Sequence, residues 1–147
     1  MEQPSEILQF NGDYAFLSNF YPAEFVWDNI VWKTSEHAYQ AAKVIDRKYR
    51  LMMSNIPRPG DVKHLGKMSQ CRDDWESVKI DVMYDIVYQK FVQNPTLKQK
   101  LLETGQAHLE EGNSWRDQFW GVCPVGSGEG RNELGKVLMR VRHELSK

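Results

Sequence analysis

The sequence predicts an α+β fold, mainly helical, with a small antiparallel sheet or hairpin. Apolar residues recur at helical spacing through most of the chain after residue 34, whereas two short β-rich runs before it flank a two-residue turn. Prolines and glycines fall where those helical segments should begin or end. The 147 residues form one expected domain, 1–147, large enough to bury about two thirds of its unfolded surface.

Residues 7–33 read as strands and turns. Ile7-Leu8-Gln9-Phe10 precedes a break at Asn11-Gly12-Asp13, and the aromatic segment Phe16–Pro22 follows. Glu24–Trp27 and Ile30–Lys33 flank Asp28-Asn29, a pair that tolerates the positive φ of a hairpin turn. One helix is expected from about 35 to 54, capped by Thr34 or Ser35 and stopped before Ile56-Pro57. Asp61 caps a short helix through Leu65. A longer helix runs from Asp73 or Asp74 to Asn94, with Trp75, Val78, Val82, Ile86 and Phe91 on its apolar side. Asn94-Pro95 opens the next helix, which Gly105 closes. Residues 106–111 read as a short strand, and a last helix starts near Asn132 with Leu134, Val137, Leu138, Val141 and Leu145 inward.

Nineteen Lys and Arg against twenty Asp and Glu give a net charge of -1, which excludes a generally basic nucleic-acid coat and leaves room for a local basic groove. No apolar run approaches the length of a membrane span, and Met1-Glu2-Gln3-Pro4-Ser5-Glu6 is acidic where a signal peptide is basic. A cytoplasmic location is expected. Cys71 and Cys123 are far apart, and His37, His64, His108 and His143 show no ligand spacing, so no disulfide, structural zinc or other metal is expected. No obligatory protein partner is inferred.

Three features point to chemistry. At about 100° per residue, Glu36, Gln40, Lys43, Arg47 and Arg50 fall within about 40° of one direction, with Ala38, Ala41, Ala42, Ile45, Tyr49 and Met52 opposite. A solvated helix face explains that stripe too, but Lys43 and Arg47 are like charges four apart, an arrangement that favours a bound anion. The second feature is Gly126-Ser127-Gly128-Glu129-Gly130, which lacks the G-x-G-x-x-G spacing yet feeds a helix N-terminus able to offer backbone N–H groups to a phosphate. Gly130–Lys136 matches G-x-x-x-x-G-K, but Val137 stands where a Mg²⁺-binding Ser or Thr belongs, so the match is read as accidental. The third is Asn113–Gly121, where Trp115, Phe119 and Trp120 lie among Asn113, Arg116 and Asp117. Aromatic faces beside polar hooks suit a nucleobase or ribose, although anchoring the loop accounts for at least one tryptophan. Phe16, Asn19, Phe20 and Tyr21 repeat that theme near the start of the chain.

Taken together, Phe16–Pro22, Thr34–Lys43, Trp75-Glu76-Ser77-Val78-Lys79, Asp117-Gln118-Phe119-Trp120-Gly121 and Gly130–Gly135 resemble, in order and spacing, the NADAR superfamily, which includes the YbiA-like proteins. The resemblance spans a core of about 8–146. It implies a compact α+β domain that cleaves N-glycosidic bonds of ribosylated compounds, with two associated activities: removal of ADP-ribose from guanine bases, and hydrolysis of early riboflavin-pathway ribosylamino intermediates. It matches the family's lysine to Lys43 and its glutamate to Glu36, places Asp117 and Trp120 in the pocket, and puts Asn132 in the G-x-N-x-L-G block. Val122–Ser127 is a variable part of the family.

Breaking a ribosyl–nitrogen bond builds positive charge at the anomeric carbon and requires an acid for the departing nitrogen. Lys43, Glu36 and Asp117 are therefore the expected catalytic residues, with either carboxylate in either role. Lys43 is read as a nucleophile that forms an imine with ring-opened ribose, which requires a lowered pKa assisted by Arg47 one turn away. Glu36 lies two turns from it, about 10 Å along a helix axis, which spans a ribose. Trp120, Asn19, Phe20, Gln40, Arg47, Gly121 and Asn132 form the expected substrate-binding set. Phosphates are assigned to Arg47, Arg50 or the glycine-rich loop, and no cofactor is needed. The leading substrate is ADP-ribosylated nucleic acid, the runner-up a ribosylated small molecule of riboflavin biosynthesis. A non-catalytic reader of ADP-ribose or NAD is a third reading, disfavoured because a reader has no need of a poised amine. Lys63, Lys67, Arg58 and Arg72 are read as solvated charges, with a nucleic-acid groove as the alternative.

Overall fold

A computed structural model describes residues 4–147. The acidic stretch read at the N-terminus begins with Met1-Glu2-Gln3, which lie outside the described residues. Two units emerge: residues 19–94, and residues 4–18 together with 95–147.

The 19–94 unit opens with the expected hairpin. Strands β2 (Phe25–Trp27) and β3 (Ile30–Trp32) pair antiparallel, Phe25 opposite Trp32 and Trp27 opposite Ile30. Asp28 and Asn29 carry φ of 55° and 56°, the geometry whose twist matches two paired strands. Helix α1 (Ser35–Ala42) follows, then α2 (Arg47–Ser54), α3 (Pro59–Met68) and α4 (Trp75–Val92). The expected continuous helix from 35 to 54 is thus two helices. β-branched Val44 and Ile45 fill the break, and the Asp46 side chain accepts from the Lys48 N–H, starting a new helix. The expected short helix at Asp61 starts earlier, with Pro59 in its first turn.

Thr34 caps α1 as expected. Its Oγ1 accepts from the His37 N–H at 3.1 Å and pairs with His37 Nδ1 at 2.7 Å, while His37 Nε2 reaches the Ile56 carbonyl at 2.7 Å. The Ile56 carbonyl requires a proton on Nε2, and burial holds the His37 pKa below its ordinary value, which favours the neutral ring. Every residue of α1 from Ser35 to Ala42 is buried, so the helix sits between α2, α3 and α4 and is no solvated surface element.

Lys90 on α4 lies among Met83, Ile86, Val87 and Phe91, its Nζ 5.1 Å from the Phe91 ring and 5.9 Å from that of Tyr21. Complete burial pushes its pKa down to about 7. The unfolded chain keeps the lysine proton to about pH 10.4, so stability should climb by a few kcal/mol as pH rises from about 7 towards 10. Lys90→Met should remove most of that slope in chemical denaturation. An unchanged slope would show that the amine stays charged when buried.

In the other unit, β1 (Glu6–Ile7) and β4 (His108–Leu109) pair parallel, a two-stranded ladder additional to the expected antiparallel hairpin. Gly12–Leu17, read as part of the strand-and-turn region, forms a 3-10 helix that buries Phe16 and Leu17. Helices α5 (Pro95–Glu103) and α6 (Glu133–Leu145) form as expected, with Gly105 at φ 60° just after α5. Leu134, Val137, Leu138 and Val141 are buried; Leu145 is only half-buried.

Candidate functional site

The 19–94 unit gathers Asn19, Phe20, Glu36, Gln40 and Lys43. Asn19 fastens the loop before the hairpin to the first turn of α1: its carbonyl accepts the Glu36 N–H at 3.0 Å, and its side-chain oxygen accepts the Ser35 hydroxyl at 2.9 Å. Phe20 then projects outward, 41% exposed. Glu36 is buried, and the Gln40 amide donates to its Oε2 at 2.6 Å. This bond fixes the amide orientation, because the reverse would set an oxygen against a carboxylate. Gln40 Oε1 is consequently buried with no hydrogen-bond partner among the described residues. It faces α3 at Gly66, where a Cβ would stand 1.9 Å from it. A glycine inside a helix thereby admits the side chain that holds Glu36.

Lys43 ends α1, half-buried, with Nζ 5.7 Å from the ring of Tyr39, which in turn packs on Trp75 at 5.3 Å. Desolvation lowers its pKa below the ordinary lysine value. Cys71 and Glu36 oppose the shift, and Lys67 and Lys79 add to it. The expected helper, Arg47, is not among these causes. It sits on α2 and donates to the Asp28 and Asn29 carbonyls at 3.1 and 3.5 Å. Arg50 donates to Asp28 Oδ2 and to the Val44 carbonyl, both at 2.9 Å, and stacks over Trp27. Both arginines hold the hairpin turn rather than extending a line from Glu36 through Lys43, because that line assumed one unbroken helix. The Lys43 carbonyl accepts the Arg72 N–H at 2.7 Å; a cavity of about 780 Å³ in the same unit is lined by Val44, Ile45, Tyr49, Cys71, Arg72 and Asp74 but not by the Lys43 side chain.

Asp117, Trp120, Gly121 and Asn132 lie in the other unit, where two of the motif blocks interlock. Asn113 shapes the loop, its Oδ1 accepting from the Trp115 and Asp117 N–H groups. Asp117 Oδ1 accepts from the Phe119 and Trp120 N–H groups at 3.1 and 2.9 Å, so at least this oxygen works as a backbone cap. Trp120 meets Phe119 edge to face at 4.8 Å. Gly121 is obligatory, since a Cβ would stand 2.1 Å from the Glu111 carbonyl. Asn132 adopts φ 53° and bridges Leu109 and Glu111, donating to one backbone and accepting from the other.

The anion site expected at the start of the last helix is overturned. The Glu133 and Leu134 N–H groups donate to the Phe119 and Trp120 carbonyls, both at 3.0 Å, so the turn after the glycine-rich loop has already given up its donors.

What the sequence reading missed is the surroundings of the Glu36–Lys43 pair: Tyr39 beside Lys43 and Trp75 packed on it, Gly66 against Gln40, and the charges of Lys67 and Lys79 acting on Lys43. Gly66 carried the one usable signal, a glycine inside an otherwise helical run. Among the described residues no cluster of His, Cys, Asp and Glu is placed to hold a metal ion.

The NADAR domain family matches residues 8–146. The riboflavin biosynthesis protein VVA0006 of Vibrio vulnificus is 39% identical over 150 residues, and the match takes in 99% of this chain but 39% of that protein. The N-glycosidase YbiA of Escherichia coli is 38% identical over 136 residues, covering 91% of this chain and 83% of YbiA. The NMR structure of E. coli YbiA superposes with a TM-score of 0.81 at 35% identity, covering 97% of this chain and 89% of that one. The family match over residues 8–146, together with relatives 38–39% identical along nearly all of this chain, identifies it as a member of the NADAR domain family.

Proposed function

We infer that this chain is an N-glycosidase, one functional domain over both units, that hydrolyses the bond between a ribose and a nitrogen. The observation that carries this reading is the Lys43 amine, lowered in pKa by burial at the end of a helix that also holds a buried, oriented Glu36.

Neutral Lys43 Nζ attacks the anomeric carbon; the carbon–nitrogen bond to the leaving group breaks, and the leaving nitrogen takes a proton. The ring oxygen then leaves the same carbon, giving an iminium between Lys43 and open-chain ribose. Water adds to that carbon, expels the lysine and yields free ribose. Glu36 stabilises the positive charge that develops at the anomeric carbon, and Gln40 keeps its carboxylate from turning away. Asp117 remains a candidate acid through its second oxygen, and Trp120 a candidate stacking surface.

ADP-ribosylated guanine in nucleic acid is the substrate we favour, because a poised amine suits a stable N-linked adduct and a base presented singly needs only a local basic surface. The riboflavin-pathway reading is favoured by a different observation, the name of the Vibrio relative. Guanine-ADP-ribosylated oligonucleotide and a ribosylamino pyrimidine should each be incubated with wild type and with Lys43→Ala, followed by mass spectrometry, with borohydride in parallel samples. Loss of ADP-ribose from the oligonucleotide with wild type only, and a reduced adduct on Lys43, is the expected result. Turnover of the pyrimidine alone would move the substrate to the riboflavin pathway, and tight binding without turnover of either would make the domain a reader.

A further inference from the structure

Two glycines lie in α3, and only one of them meets another residue. A Cβ at Gly60 would have nothing within 4 Å, whereas at Gly66 the three nearest heavy atoms all belong to Gln40: Oε1 at 1.9 Å, Cδ at 2.7 Å and Cβ at 3.1 Å. Gly66 is not among the glycines with positive φ, so backbone conformation does not require it. A glycine inside a helix weakens that helix relative to alanine, and here the missing volume is filled by one side chain of α1, on which α3 packs.

That side chain carries a second unfavourable feature. Gln40 Oε1 is buried with no hydrogen-bond partner among the described residues, so the amide gains no polar contact from α3. The bond it does make is the 2.6 Å donation to Glu36 Oε2. A weakened helix and an unsatisfied buried oxygen therefore meet at one point, and what they permit is the bond that orients the Glu36 carboxylate. Local rules broken together in this way mark function rather than stability.

We propose that Gly66 is a positioning residue for the reaction: the side chain it lacks is what allows Gln40 to hold Glu36. Gly66 reaches no substrate itself and acts through Gln40. The atoms that a Cβ would strike belong to a flexible side chain and not to backbone, so Gly66→Ala should fold. The amide, however, has to leave its place, and Glu36 loses that donor. The role rests on the N-glycosidase reading and adds to it a residue of α3, outside the helix that carries Glu36 and Lys43.

The first readout is the side-chain amide signal of Gln40 in NMR spectra of the full chain, which requires no turnover and is assigned by its loss in Gln40→Ala. A strong bond to a carboxylate displaces the amide proton. Gly66→Ala should return it to the position of a solvated glutamine, and Gly60→Ala should leave it where it is. The second readout is kinetics on the guanine-ADP-ribosylated oligonucleotide or the ribosylamino pyrimidine, whichever the wild type turns over. In Gly66→Ala, kcat and kcat/KM should fall together by on the order of 10²-fold, the scale of a small misplacement of a reacting group, while unfolding curves stay close to wild type. Gly60→Ala should keep full activity. In a Gln40→Ala background, which vacates the space, Gly66→Ala should cause no further loss. An unmoved amide signal in Gly66→Ala would show that α3 gives way instead, and would overturn the proposal. So would a displaced amide with undiminished kcat, or a loss in the Gln40→Ala background as large as in wild type. Absence of turnover in the wild type, with the amide displaced as expected, would overturn the N-glycosidase reading on which the role rests and leave the Gly66–Gln40 contact standing.

Discussion

Lys43→Ala is expected to lower turnover by on the order of 10³-fold or more, the usual scale for removing a nucleophile. The folded protein should survive, because the truncation removes a desolvated charge and leaves the α1 cap, the Gln40–Glu36 bond and the Tyr39–Trp75 contact in place. Lys43→Arg should fail almost as completely, since a guanidinium stays protonated and cannot attack. The pH profile separates this role from simple charge placement. An amine whose pKa is lowered in the fold is neutral from a lower pH upward, so kcat/KM should rise with pH through a limb below the ordinary lysine range. The groups that set the limb are burial first, Cys71 and Glu36 opposing, and Lys67 and Lys79 assisting. Replacing Lys79 by Gln removes one assisting charge and should move the limb to higher pH. Retention of activity within tenfold in Lys43→Ala would end the covalent mechanism, whatever the substrate.

The second large effect concerns Gly135. It lies inside α6, where alanine is intrinsically favoured over glycine by about 1 kcal/mol. A Cβ there would stand 2.1 Å from the Leu109 carbonyl and 2.3 Å from the Asn132 amide nitrogen. One obstacle is backbone, paired in the β1–β4 ladder, and the other is a side chain bonded to that same backbone. Neither can yield cheaply, so Gly135→Ala should destabilise by about 3 kcal/mol or more, against the sign of helix propensity. Denaturant unfolding of the purified variant provides the measurement, and a stabilised variant would show that α6 can slide away from β4. Gly135 thus closes the G-x-N-x-L-G block by contact: Asn132 supplies the left-handed residue and two backbone bonds, and Gly135 lets the helix approach the strand.

The sequence by itself determined the elements whose signals are local. The Asp28-Asn29 turn, the Thr34 cap, the Asn94-Pro95 start and the apolar face of the last helix are each written in a few adjacent residues, and each formed as expected. Order and spacing of the motif blocks likewise carried the family. Tertiary structure decided what those residues do. Helical periodicity runs on through Val44-Ile45-Asp46, so the sequence alone joined two helices and aligned Arg47 with Lys43; the packed chain turns there and gives both arginines to the hairpin. Free N–H groups at a helix start are a local expectation, but only the packed loop shows that the Phe119 and Trp120 carbonyls already occupy them. The lysines that act on Lys43, Lys67 of α3 and Lys79 of α4, lie 24 and 36 residues away along the chain, and no local pattern marks them as its neighbours. Residue type restricts which side chains can form bonds and is written in the sequence, whereas electrostatic surroundings depend on distances through space that only the fold sets.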